Sequence, residues 1–145
     1  MLWLLRHGDA EHGAGEDAAR ALTEKGRRQA RDAGRALAAL GVELDACLAS
    51  PKVRAVDTAR IACEPLDAEV EIEERLRGGP FNLLELAAGR GEILLVGHEP
   101  DFSSAVSELT GARVKLKKGG LAGVEPGTLH ALYRPKDLKL LAASD

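Results

Sequence analysis

Cysteine is scarce in this 145-residue chain, occurring only as Cys47 and Cys63. The two have no CxxC spacing and no histidine at zinc-ligand distance, so no metal site is expected. Cys47 lies in an apolar, strand-like run and reads as a small buried hydrophobe. Long apolar runs are missing as well. None approaches membrane-spanning length, and the opening one is too short, with no basic leader, for a signal peptide. The expectation is a cytoplasmic, reducing setting with no membrane association. Positive charge is not in excess: 20 lysines and arginines face 23 acidic residues, a net charge of −3. Bulk electrostatics therefore gives a nucleic-acid role no support. The nearest basic cluster, Lys115 to Lys118, reads as charge that solvates an edge strand. No internal repeat, low-complexity tract or interdomain linker stands out. Gly8 is followed by no glycine pattern of the dinucleotide-binding type, which argues against a dehydrogenase.

What is present suits one domain over residues 1–145, large enough to bury a core without covalent staples. Hydrophobic content of 45% and charged content of 30% are ordinary for a globular protein. The first half alternates strands with helices. Met1 to Leu5 is an apolar strand. Thr23 N-caps a helix whose Ala30, Ala33, Leu37 and Leu40 share one face and which Gly41 stops. Leu44 to Ala49 reads as a strand. Ser50 then caps a helix with Pro51 in its first position, carrying Val53, Val56 and Ala59 and ending before Pro65. Val70 to Ile72 is a short strand, Phe81 to Ala88 a small helix, and a further strand ends at Val96. Asp101 caps a helix with the stripe Phe102, Ala105, Val106 and Leu109, closed by Gly111. Beyond it Val114–Leu116, Leu121–Val124 and Leu129–Tyr133, separated by Gly119-Gly120 and Pro126-Gly127 turns, read as antiparallel edge strands. The class is α/β: a three-layer α/β/α sandwich around a mostly parallel sheet. The glycine-bearing connection from Asp9 to Ala21 is longer than usual, and is expected to be mobile and to flank the site.

Ligands in open α/β sheets gather outside the carboxyl ends of the strands. Three such junctions carry chemistry. The first, after Leu5, presents Arg6 and His7. The second, after Ala49, presents Arg54 one turn into its helix. The third, after Val96, presents His98 beyond Gly97. Two guanidinium groups and two imidazoles at one end of a sheet, near helix N-termini, suit a phosphoryl group. Arginine serves there because its planar fork binds two phosphate oxygens at once. His12, in a polar loop, and His130, in a late strand, are left outside this group.

Arg6-His7-Gly8, Leu22-Thr23-x-x-Gly26, Ser50-Pro51-x-x-Arg54-Ala55-x-x-Thr58-Ala59 and Gly97-His98 occur in an order that resembles the histidine phosphatase superfamily. Chain length and the Gly97-His98-Glu99-Pro100 form resemble its small bacterial branch, the SixA-type phosphohistidine phosphatases. The resemblance runs from residue 1 to about residue 110. It implies a phosphoglycerate-mutase-like fold without the helical lid insertion, since the span from Arg54 to His98 is too short for one. It further implies His7 as the phosphoryl-accepting nucleophile, with Arg6, Arg54 and His98 as the phosphate clamp. No cofactor and no metal are implied, because the arginines neutralise the phosphoryl charge. Gly78 falls where larger members carry a glutamate general acid, leaving Asp9, Glu74, Glu99 and Asp101 as candidates. Loss of that acid suits a phosphoramidate, which leaves as an imidazole. The expected substrate is a phosphohistidine-bearing protein, with a small phosphorylated metabolite second and a non-catalytic phosphopeptide-binding module third. A monomer or weak dimer is the expected state.

Overall fold

A computed structural model describes residues 1–13 and 15–144. Among these, six strands form one sheet in the order β3-β2-β4-β1-β5-β6. The strands are β1 (Leu2–Arg6), β2 (Ala46–Ala49), β3 (Val70–Ile72), β4 (Ile93–Gly97), β5 (Leu121–Glu125) and β6 (Thr128–Tyr133). Strands β1 to β4 run parallel, and β5 pairs antiparallel with both β1 and β6. Five helices cover the sheet: α1 (Glu24–Ala39), α2 (Val53–Cys63), α3 (Leu83–Ala87), α4 (Asp101–Thr110) and α5 (Pro135–Ala142).

Alternation along β1 builds the two faces. Leu2 and Leu4 enter a core with Leu83, Leu86, Phe102 and Val106 of α3 and α4. Trp3 and Leu5 enter the opposite core, with Leu37 of α1, Ala59 of α2 and Leu138 of α5. The expected three-layer sandwich is what forms. β1 and β4, buried on both faces, read as unbroken apolar runs for that reason. Cys47 and Cys63 are free and buried. No helix among the described residues is long and apolar enough to cross a membrane.

Several local expectations need correction. α2 begins at Val53, with Lys52 as its extended N-cap; Ser50 and Pro51 lie in the turn before it. The Ser50 hydroxyl accepts the Lys52 N–H at 3.3 Å, making a tight turn instead of a cap. The buried face of α2 carries Ala55, Ala59 and Ala62, whereas Val53 is 37% exposed. Small residues face inward because α1 passes so close that a Cβ on Gly34 would overlap the Ala62 carbonyl oxygen. Asp101 is the first residue of α4 and does not cap it: its carboxylate accepts the Gly79 N–H at 3.1 Å, while Glu99 accepts the Ser103 N–H at 2.8 Å. Val114–Leu116 forms no strand, since its polar backbone groups are used elsewhere. The Leu116 N–H donates to Glu99 at 3.2 Å, and its carbonyl accepts from Arg6 at 2.9 Å. Helix α5 was not foreseen. Its start is marked by Pro135 in the first turn and by Asp137, which accepts the Arg134 N–H at 2.9 Å.

Candidate active site

β1, β4 and the β2–α2 turn end side by side, with Arg6 opposite Gly97 and Ala49 opposite Val96. Their loops line a cavity of about 320 Å³ that includes Arg6, His7, Arg54 and His98. The four residues singled out from the sequence therefore meet in one hollow. The His7 and His98 rings lie 5.2 Å apart between centroids. His7, Arg54 and His98 are 6%, 5% and 7% exposed, unusual for polar side chains unless they have partners or work to do.

Backbone and side-chain partners nearby hold these groups in place. His7 Nδ1 sits 2.7 Å from the Gly8 carbonyl oxygen, which only accepts, so Nδ1 carries the proton and Nε2 keeps its lone pair. The Gly8 N–H donates to Thr58 Oγ1 at 3.0 Å, and that hydroxyl donates to the Arg54 carbonyl at 2.7 Å. The end of β1 is thereby tied to the first turn of α2. A Cβ at Gly8 would collide with the Gly26 backbone, so only glycine permits this approach. His98 Nε2 and Ser50 Oγ share a hydrogen bond of 2.8 Å. Arg54 donates to the Asp17 carbonyl at 2.8 Å and to its carboxylate at 3.2 Å. Arg6 Nε and Arg54 Nε are buried with no acceptor among the described residues. Two guanidinium groups and two imidazoles lining one hollow fit a tetrahedral oxyanion.

Burial and neighbouring cations keep both imidazoles neutral. Loss of solvation lowers His7 to about 4, and the guanidiniums of Arg54 and Arg6 add to the effect. Burial likewise lowers His98 to about 3, helped by His7 and Arg54. The larger cause for His7 is burial, not the adjacent Arg6. Asp17 is held far below the ordinary carboxylate range by Lys52 and Arg54.

The sequence reading missed a ring of cations around the hollow: Arg20, Lys52, Arg77 and Lys118. Lys118, in the basic cluster expected to solvate an edge strand, stands instead on a turn that lines the site. Asp17 also escaped notice, lying in a 3-10 turn (Asp17–Ala19) of the long loop. That loop does flank the site, through Ala10 and Arg20; Ala14, within the stretch expected to be mobile, lies outside the described residues. Among the acid candidates, Glu99 and Asp101 line the hollow, beside Gly78. Asp9 turns instead to Thr23, 2.8 Å away, and Glu74 to Arg77 at 2.9 Å. His130 pairs with Glu125 at 2.7 Å on β6, and His12 is exposed, so both stay outside. Among the described residues no three His, Cys, Asp or Glu side chains gather as a metal cluster.

Residues 2–88 match the model of the histidine phosphatase superfamily, branch 1. The chain belongs to the histidine phosphatase superfamily. An uncharacterised protein of Picosynechococcus is 33% identical over 140 residues, 87% of this chain and 85% of its own. The mitochondrial serine/threonine-protein phosphatase Pgam5 of Drosophila melanogaster is 40% identical over 68 residues, which span 47% of this chain but only 24% of that enzyme. Among solved structures, the protein histidine phosphatase SixA complexed with tungstate superposes with a TM-score of 0.82. It is 24% identical, over 95% of this chain and 99% of that one, and so shows the shared fold. The fold is SixA-like, without a large insertion over the site.

Proposed function

We propose that this histidine phosphatase hydrolyses phosphohistidine on proteins. The observation that carries the reading is a neutral, lone-pair-bearing His7 gathered with Arg6, Arg54 and His98 in one uncovered hollow. His7 Nε2 attacks phosphorus, the substrate P–N bond breaks, and the departing imidazole takes up a proton. Water then attacks the phosphorylated His7 and releases inorganic phosphate, restoring the neutral ring. Arg6, Arg54 and His98 hold the equatorial oxygens in both steps, which suits a reaction that depends on positioning and charge stabilisation. The arginines neutralise the phosphoryl charge, so the reading calls for no metal or cofactor. A good leaving group asks little of a general acid, and an open hollow admits a side chain presented on a protein surface.

A second reading, a phosphomonoesterase of small metabolites, draws on Glu99 and Asp101. Both residues line the hollow, and on this reading one of them would supply the proton to an alkoxide. A substrate panel separates the two readings: a histidine-phosphorylated protein, a phosphoserine peptide, sugar phosphates and nucleotides. The proposal expects the largest kcat/KM for the phosphohistidine protein. Equal or faster turnover of sugar phosphates would replace it with the second reading.

A further inference from the structure

A second concavity of about 470 Å³ lies beside the catalytic hollow, and Arg6 and Lys118 line both. Lys25, Lys117, Arg134 and Lys136 line the rest, with Asp9 as the acidic member. A third concavity of about 400 Å³ shares Lys25 and Lys136 with the second. It adds Arg28, Arg31, Arg35 and Lys139, against Asp32. Some of this charge is neutralised locally: Lys118 by Asp9 at 3.5 Å, Arg134 by Asp137 at 3.0 Å and Arg31 by Glu24 at 3.3 Å. Among the described residues, no carboxylate forms an ion pair with Lys25, Arg28, Lys117, Lys136 or Lys139. A concavity at the end of α2 is bordered by Glu64, Asp67 and Glu69 with Arg60, and Glu64 also borders one beside Arg31 and Arg35 at the far end of this run of cations. The net charge of −3 is thus compatible with a local excess of cations beside the catalytic hollow.

We infer that this cationic track, running from the catalytic hollow along α1 and the start of α5, docks an acidic segment of the protein substrate. The inference rests on the phosphoprotein reading and deepens it. From Lys25 to Arg35 the track covers roughly 15 Å of helix at 1.5 Å per residue, beyond the reach of a small phosphorylated metabolite seated at His7. An extended stretch of four or five residues spans about that distance. Asp9 and Asp32 interrupt the track, which disfavours the uniform phosphate run of a nucleic acid and tolerates a protein surface of mixed side chains. Like charges held together on a folded surface repel one another, and an opposite surface relieves that repulsion while steering the encounter.

Three synthetic peptides test the inference, each with a central histidine phosphorylated by phosphoramidate and flanked by Asp/Glu, Gly/Ser or Lys. At low salt kcat/KM should fall in that order. Acidic and basic peptides should differ by about tenfold, mostly through KM, as a few exposed ion pairs would give. The order should collapse near 0.5 M salt, where the screening length is only about 4 Å. A K25E/R28E/K136E variant should abolish or reverse it while turning over imidazole phosphate within about twofold of wild type. Equal kcat/KM for the three peptides in the wild-type protein would overturn the docking track and leave the phosphatase reading standing. Binding of oligouridylate in preference to the unphosphorylated acidic peptide, lost in the triple variant, would also overturn it. If no phosphoramidate is turned over at all, the function reading fails, and preferential binding of the unphosphorylated acidic peptide still decides the track.

Discussion

A buried neutral histidine must meet two demands at once: an unprotonated nitrogen for attack, and a fold that bears the loss of its charged form. His7 meets the first through the Gly8 carbonyl, which claims Nδ1–H and leaves Nε2 free. The second has a measurable consequence. Unfolded histidine titrates near 6.5, whereas burial lowers His7 to about 4 and His98 to about 3. Between these values the unfolded chain binds more protons than the folded one, so stability falls as pH falls. The loss should start near pH 6.5 and finish once the pH passes the folded values. From pH 6.5 to pH 5 each histidine should remove roughly 2 kcal/mol of unfolding free energy. This window lies mostly above the range where carboxylates such as Asp17 begin to protonate. Urea denaturation at pH 7 and pH 5 measures the difference, and His98→Asn should remove about half of it. A pH-independent midpoint would contradict the burial of neutral imidazoles.

Packing between elements decides which parts of this fold show in the sequence. α1 was readable because Thr23, whose hydroxyl accepts the Gly26 N–H at 3.0 Å, and the turn at Gly41 punctuate it locally. β1 and β4 were readable as buried runs, and the strand-end rule then put Arg6, His7, Arg54 and His98 at one address. The face of α2 was misjudged because its contact with α1 selects alanines over valines, a choice made by the neighbouring helix. Val114 and Leu116 alternate like a strand because both pack against the α3–α4 core, though Glu99 and Arg6 take the backbone groups of Leu116. The rim cations Arg20, Arg77 and Lys118 escaped because loops outside the strand-end junctions deliver them, whereas Lys52 lies within the Ser50–Arg54 junction, where it reads as an ordinary exposed lysine. Close helix contact also makes a prediction. Gly34→Ala should cost roughly 1–3 kcal/mol, since the added methyl meets the rigid backbone of Ala62. Gly78→Ala, whose Cβ would meet nothing within 4 Å, should leave stability nearly unchanged. Thermal melts of the two variants compare them, and equal melting temperatures would contradict the close α1–α2 packing.

At the scale of the whole molecule, the sheet's order does the assembling. Four side chains spread from residue 6 to residue 98 meet only because β1, β4 and β2 are neighbours with their carboxyl ends aligned. Arg6 and Lys118 line both the hollow and the neighbouring basic concavity, so the catalytic site and the cationic surface adjoin. The central claim is that His7 takes the phosphoryl group inside this assembly. Rapid mixing with a phosphoramidate, an alkaline quench and peptide mass spectrometry measure it directly. The account predicts phosphate on His7 within the first turnover. Arg54→Ala should form that adduct roughly 10²–10³ times more slowly, if its guanidinium stabilises charge as an oxyanion donor does. Undiminished phosphate release by His7→Ala, with no adduct on any histidine, would contradict the account.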